Sequence, residues 1–388
     1  MLIAFGLSFG PAVSNGLGRF AYALILPAMR TDLGWSYSRA GWINTANALG
    51  YLVGALVALR SLRFGLRRMF AIGMLMTAAA LFASGLVVDY TLMTLFRFAA
   101  GVGGAIALTG GGALAAELFA NDRARAPNGI AVYFSGGGLG ILLPGATLPW
   151  LFEARSAHVW NEAWLALGVL AFALCIPSLL AARQVPARPV LIKAVPWSKR
   201  PFILSLIGYF LFAMGSIVYM TFIVAWMSAH GAGAFQVSLV WAVLGLAIML
   251  SPIPWRRPLR EWPGGWPLSA SLIMFALGAA VPLFGTSLPL MLLSAALVGG
   301  GFFITPAAVT AFAKASLPRD AWSSAIAFYT VVFAVGMPIG PVLAGAVADV
   351  TGSLFAGLAI SVGVLFLGAI FSSQQRVISR AAENEVFR

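Results

Sequence analysis

Acidic side chains are scarce in this 388-residue sequence, and none stands in the middle of an apolar run. Eleven Asp and Glu face 24 Lys and Arg. Charged residues make up only 9% of the chain, against about 25% in a soluble domain, which excludes an ordinary water-exposed surface. The single cysteine, Cys175, excludes a disulfide within the chain, and the two histidines, His158 and His230, supply no metal-ligand set. The polar segments are short and hold no Ser/His/Asp or similar cluster, so the sequence reads as neither an enzyme nor a cofactor carrier. No basic leader or small-residue cleavage site marks the first apolar run, which reads as a retained span.

What the sequence has instead is apolar length. Hydrophobic residues make up 61%, and the mean hydropathy is +0.95. Runs of about 20 apolar residues, enough to span a bilayer as helix, recur between polar or Pro/Gly punctuation. They fall at 2–29, 40–59, 69–88, 92–119, 128–151 and 163–182, then at 202–227, 237–253, 267–284, 289–313, 323–348 and 355–371. The interval 183–200, with Pro186, Pro189 and Pro196, reads as a linker. The expectation is an all-α integral membrane protein with 12 transmembrane helices in two six-helix bundles. Residues 1–182 form one bundle, 183–200 a cytoplasmic linker, and 201–388 the second bundle with a short tail.

The net charge of +13 is distributed by topology. Nineteen Lys and Arg fall in the connections from even to odd runs or in the C-terminal tail, among them Arg60, Arg63, Arg67, Arg68, Arg256, Arg257 and Arg260. Only Arg30, Arg39 and Arg155 fall on the other side. That asymmetry predicts cytoplasmic termini, in a bacterial cytoplasmic membrane, and leaves no charge to assign to a nucleic-acid partner. A monomer in the lipid bilayer is expected.

Two arginines remain, both at membrane depth. Arg19 lies in Asn15-Gly16-Leu17-Gly18-Arg19-Phe20-Ala21-Tyr22 in the first run, and Arg97 lies in the fourth. Insertion of an Arg at the helix centre costs roughly 2.5–3.5 kcal/mol, so such residues mark function or internal pairing. The spacing of Asn15, Arg19 and Tyr22 puts all three on one face of a regular α-helix. Asn44, Asn47 and Tyr51 fall three and four apart in the second run, open either to interhelical hydrogen bonding or to cavity lining. The glycine clusters at 101–104, 110–112 and 136–138 fit close helix approach rather than phosphate loops. Trp35, Trp42, Trp150, Trp160, Trp164, Trp197, Trp255, Trp262 and Trp266, near run ends, are expected as interfacial anchors. Glu117 and Asp349, also near run ends, read as solvated.

The halves repeat. A shift of 196 aligns 97–140 with 293–336 without a gap, pairing Thr109 with Thr305, Arg123 with Arg319, Tyr133 with Tyr329 and Gly140 with Gly336. A shift of 197 pairs Tyr22 with Tyr219. Six runs repeated in parallel are the plan of a transporter whose site lies between two halves.

On three motifs the chain resembles the major facilitator superfamily. Arg63-Phe64-Gly65-Leu66-Arg67-Arg68 is similar to the family's basic turn after run 2, with Leu62 in place of its usual Asp and Ala58 in place of its leading Gly. Arg97 with Ala100, Gly101 and Gly103 resembles the Arg motif of run 4, Ala100 replacing the common Gln. Gly336, Pro338, Gly340 and Pro341 in run 11 resemble the Gly-Pro motif of antiporters, which run 5 keeps in part at Gly140 and Pro144. Gly18-Arg19-Phe20-Ala21-Tyr22 with Leu33-Gly34-Trp35-Ser36 resembles the YbfB/YjiJ branch.

The resemblance implies a secondary transporter working by alternating access, its cavity lined by runs 1, 4, 7 and 10. Arg19 and Arg97 would make one wall of that cavity positive, which concentrates anions. The planar guanidinium fork suits a carboxylate. Tyr22, Tyr133, Tyr219 and Tyr329 would add hydroxyls and aromatic surface, with Asn15, Asn47 and Tyr51 beside them. The expected substrate is a small organic anion, coupled to protons or to exchange. The alternative is proton-driven efflux of drugs or sugar-like metabolites, favoured by the Gly-Pro motif and disfavoured by the absence of a central carboxylate. Gly65, Arg67, Arg68, Gly101, Gly140, Pro144, Gly336, Gly340 and Pro341, with Arg63, are the expected conformational residues. Reporter fusions at Pro189 and after Arg388 are both expected to read cytoplasmic, and an exterior signal at either position would refute this topology.

Overall fold

The computed structural model describes residues 1–61, 65–119, 126–186 and 197–378, and every regular element in them is helical. The first apolar run is divided into α1 (Leu2–Pro11), a π-helical segment (Ala12–Phe20) and α2 (Tyr22–Asp32). The next five runs are α3 (Tyr37–Ser61), α4 (Leu66–Ser84), α5 (Tyr90–Leu118), α6 (Ala126–Arg155) and α7 (Trp160–Arg183). The second half opens with α8 (Ile203–Ala229) and α9 (Ala234–Leu250). A short helix, α10 (Arg256–Glu261), replaces the expected basic loop, and Glu261 pairs there with Arg257 at 3.6 Å and Arg260 at 3.0 Å. After α11 (Trp266–Ala280), run 10 is split into α12 (Leu288–Phe302) and α13 (Ile304–Ser316). Run 11 is split into α14 (Trp322–Gly336) and α15 (Ile339–Thr351), and α16 (Leu354–Ser373) is the last helix. The linker residues 187–196 and the tail 379–388 lie outside the described residues.

The interruptions have local causes. Pro306 and Pro341 have no N–H for the carbonyls four residues back, at Phe302 and Met337, and runs 10 and 11 divide there. In run 1 the π turn follows Pro11 and covers Ser14-Asn15-Gly16-Leu17-Gly18, a stretch of mostly weak helix formers. Starts are capped in the usual way: Asp89 accepts from the Leu92 N–H at 2.8 Å, and Ser353 from that of Phe355 at 3.2 Å. Among the described residues, nine helical stretches are long and apolar enough to cross a membrane: α4 to α8, α11 with the turn after it, α12 with α13, α14 with α15, and α16. α9 is apolar but has 17 residues.

In the first half α5 packs on α3 and α4, α4 on α7, and α1 on α6 and α7. In the second, α8 packs on α16, α11 on α12 and α16, and α9 on α12. Two long seams join the halves, α6 on α9 and α3 on α15, and α2 also meets α8. The sequence repeat turns one seam into the other, because run 5 meets run 8 while run 11 meets run 2.

The α3–α5 crossing is tight at the backbone. A Cβ on Gly101 would lie 2.0 Å from the Asn47 carbonyl oxygen, and one on Gly50 2.0 Å from that of Phe98. Small residues permit this approach between membrane helices. It brings Asn47 Nδ2 within 3.0 Å of the Arg97 carbonyl. Gly101→Ala is therefore expected to destabilise the protein by roughly 1–3 kcal/mol through overpacking. Gly363→Ala, where nothing lies within 4 Å of the added methyl, is expected to be neutral or slightly stabilising. Thermal unfolding of the two variants in detergent separates these outcomes.

Candidate substrate site

The three interrupted runs converge. Phe20, the last residue of the π segment, meets Phe302 at the end of α12 edge-on, with ring centroids 5.4 Å apart. Arg19 Nη1 lies 3.3 Å from the Met337 sulfur, in the break between α14 and α15. Thr45 of α3 donates from Oγ1 to the Pro338 carbonyl at 2.8 Å, in the same break. Side chains of the first half thus reach into the interruptions of the second. Interrupted helices meeting at membrane depth are how many transporter sites are built.

Arg19 is 7% exposed and poorly satisfied. Its Nε donates to Asn47 Oδ1 at 3.4 Å, its guanidinium carbon lies 4.3 Å from the Tyr51 ring centroid, and Nη2 has no hydrogen-bond partner among the described residues. A long bond and a thioether are weak acceptors for a cation. Among the described residues no carboxylate pairs with Arg19 or Arg97.

Arg97 has a different environment. It is fully buried, donates from Nη2 to the Gly18 carbonyl at 2.7 Å, and holds its guanidinium carbon 4.7 Å from the Trp164 ring and 5.7 Å from that of Tyr22, while Nε and Nη1 have no hydrogen-bond partner among the described residues. Asn47 Nδ2 donates to the same Gly18 oxygen at 3.3 Å. Arg97 therefore turns into the first half, onto the π segment, and the expectation that both arginines form one wall of the gap is corrected. The wide turn presents the Gly18 carbonyl to these two donors.

The π geometry also breaks the face expected for Asn15, Arg19 and Tyr22. Both touch α3, but Arg19 continues to Met337 beside α15, whereas Tyr22, which donates to the Ala40 carbonyl at 2.7 Å, stacks on Trp164 of α7 at 6.3 Å. Asn15 stays buried in the same segment. Asn47 and Tyr51 do gather around Arg19, and Asn44 reaches Thr221 Oγ1 at 2.5 Å, so the polar set of α3 bonds between helices. The other tyrosines are placed apart. Tyr133 donates to the Leu108 carbonyl at 3.0 Å, Tyr219 pairs with Ser294 at 2.8 Å and Tyr329 with Ser205 at 2.5 Å, each hydroxyl engaged within its own half.

Among the expected conformational residues, Arg67 donates from Nε and Nη2 to the Val185 carbonyl, tying the start of α4 to the chain just past α7. Arg68 is exposed, and Gly65 has φ +94°, a conformation natural to glycine. Arg63 lies outside the described residues. Gly140 abuts the π segment, where a Cβ would lie 2.3 Å from the Ala12 oxygen, with Pro144 one turn further along α6. Gly336 and Gly340 abut α8 at Phe210 and Met214, and Pro341 sits in the first turn of α15. Of the tryptophans, Trp42, Trp150, Trp262 and Trp266 are exposed as anchors would be, whereas Trp35, Trp160, Trp164, Trp197 and Trp255 are buried. Asp349 is exposed, as expected, and its oxygens also accept from the Tyr37 and Ser38 N–H groups at 2.7 and 2.9 Å. Met337 beside Arg19, which reading the sequence did not single out, and Trp164 beside Arg97, read only as an interfacial anchor, complete the surroundings of the two cations.

Comparison with known proteins agrees with this architecture. Residues 11–373 match the family described as uncharacterised MFS-type transporter YbfB. The uncharacterised MFS-type transporter YceJ of Bacillus subtilis (strain 168) is 26% identical over 308 residues, 75% of this chain and 73% of that protein. Among solved structures, a bacterial homologue of the human lysosomal transporter Spinster in an inward-facing, occupied conformation superposes with a TM-score of 0.71 at 14% identity, over 96% of each chain. A variant of the nucleoside transporter NupG superposes at 0.72 and 14% identity, over 96% of this chain and 99% of that one. With its paired halves, interrupted runs and a family match over nearly its whole length, this chain belongs to the major facilitator superfamily, in the family of the MFS-type transporter YbfB.

Proposed function

We propose that this multi-pass transporter carries a small organic anion of the carboxylate type, with Arg19 as the group that meets it. The observation supporting this reading is a buried, uncompensated guanidinium with an open Nη2 at the meeting point of three interrupted runs. A carboxylate there accepts from Nη1 and Nη2 as a bidentate pair, and the sulfur contact of Nη1 is a weak bond to displace. Asn47 and the Tyr51 ring already hold the other edge and face of the guanidinium. Arg97 and Trp164 act as positioning residues that fix the turn carrying Arg19. Nucleoside transporter NupG and the Spinster homologue share the fold, so the substrate is argued from the site and not from the fold.

Alternating access between the halves 1–182 and 201–388 is the proposed mode. The proposed setting is twelve crossings of a bacterial cytoplasmic membrane with both termini inside, supported by the Lys/Arg asymmetry. With no carboxylate beside the two cations among the described residues, the anion is proposed to move by exchange or together with a proton. Uptake into liposomes driven by a preloaded anion or by a pH gradient separates the two, and efficient export of a permanent cation would overturn both.

The site itself is tested by substitution. Carboxylates that bind are expected to raise the thermal midpoint of the purified protein, since ligand at 100 times Kd adds about 2.7 kcal/mol. Arg19→Ala should fold and lose that response, each lost charged hydrogen bond costing roughly 1.5–3 kcal/mol of binding. Arg19→Lys should recover part of it, keeping charge without the fork. Arg97→Ala, by contrast, is expected to lower the ligand-free midpoint, because it strips the Gly18 carbonyl of its shorter donor. A folded Arg19→Ala protein with native affinity would refute the anion site.

A further inference from the structure

The seam between α3 and α15 holds a ladder of polar contacts that ends at Arg19. Its outermost rung is Asp349, near the end of α15, whose two oxygens accept from the N–H groups of Tyr37 and Ser38, the first residues of α3, at 2.7 and 2.9 Å. Those N–H groups belong to a helix start and have no intrahelical carbonyl to serve them. The carboxylate also lies at the positive end of the helix. Further in come Thr45 to the Pro338 carbonyl at 2.8 Å and Arg19 to the Met337 sulfur at 3.3 Å, with Asn44 donating to Thr221 of the neighbouring α8 at 2.5 Å beside them. From Ser38 to Thr45 is about 10 Å along the helix. A Cβ on Gly345 would lie 2.7 Å from the Tyr37 oxygen, so the backbone of α15 rests directly on the start of α3.

We propose that this seam is the route by which Arg19 becomes accessible from the Tyr37 end of the molecule, and that Asp349 is the clasp that holds it shut. The proposal rests on Arg19 being the site, but its test reads access and not binding. Any rocking that parts α3 from α15 breaks the contacts from the clasp inward. Asp349 supplies the rung in which a full negative charge meets two main-chain donors, at the solvent-exposed end of the seam. The rungs nearer Arg19 are neutral hydrogen bonds and a sulfur contact. Removing the clasp shifts the resting population toward the open seam.

Ala48 provides the reporter position. It lies on α3, is 3% exposed, and packs with Ala213, Ile217, Ala334 and Met337 where the seam meets α8. In nanodiscs, with Cys175→Ser as background, Ala48→Cys is labelled with a charged methanethiosulfonate. Asp349→Ala is expected to raise the labelling rate about tenfold, the equivalent of one charged hydrogen bond. Asp349→Asn keeps one acceptor and is expected to raise it about threefold by the same arithmetic, which carries the test if the alanine variant does not fold. Native Cys175, buried in α7 of the first half, is the control when Ala48 is left intact. Its rate should not change when Asp349 is replaced. An unchanged rate at Ala48→Cys in folded protein, or an equal rise at Cys175, would overturn the clasp. A failure of the anion site would instead leave the seam labelling intact and show only in the carboxylate midpoints.

Discussion

A guanidinium at membrane depth with no acid beside it among the described residues has to be satisfied by dipoles and aromatic faces, and the middle of this molecule is built around that constraint. Arg97 meets it within its own half, through one bond to the Gly18 carbonyl and the rings of Trp164 and Tyr22, with Nε and Nη1 left to the aromatic faces. The donor and the carbonyl are coupled. Without the wide turn of run 1 the Gly18 oxygen would sit in a regular helical ladder, and without the oxygen Arg97 would be a bare buried charge. Arg19 is what remains. It lies between the halves, with Asn47 and Tyr51 of the first on one side and the Met337 sulfur of the second on the other.

That division of labour requires backbones to come close. Asn47 serves both cations, accepting from Arg19 and donating beside Arg97, because glycines let α3 and α5 touch. A second contact of this kind sits under the π segment, where a Cβ on Gly16 would lie 2.3 Å from Gly140. The glycine clusters are therefore part of the polar machinery and not only of helix packing. They bring main-chain oxygens within reach of side-chain donors in a region that offers few others.

Much of this was legible in the sequence, and the rest failed for identifiable reasons. Apolar length, repeat and motifs predicted an all-helical membrane transporter and its superfamily, because hydrophobic burial and chain duplication leave periodic traces. Arg19, Arg97, Asn47 and Tyr51 stood out as polar groups in apolar runs. Their partition did not, since spacing rules assume 3.6 residues per turn and the π segment departs from that. Tyr133, Tyr219 and Tyr329 looked alike on the page, and only tertiary packing shows their hydroxyls already engaged. Trp164 read as a membrane anchor by its position near a run end, yet it is buried beneath Arg97. Asp349 read as solvated and is exposed, but sequence alone does not reveal that the start of α3 lies opposite its carboxylate.

The π segment also makes run 1 sensitive to counting. A wide turn stores an extra residue within a helix, so Ala12–Phe20 behaves as a tolerated insertion. Deleting one residue there would let the stretch close into an ordinary α-helix of unbroken hydrogen bonding. The two ends of the run would then be turned against each other by about 100°, the angle one residue subtends. Hydropathy and membrane insertion would scarcely change. The direction of Arg19 relative to α1 would change almost completely, so the aim of this cation is encoded in chain length as much as in residue identity.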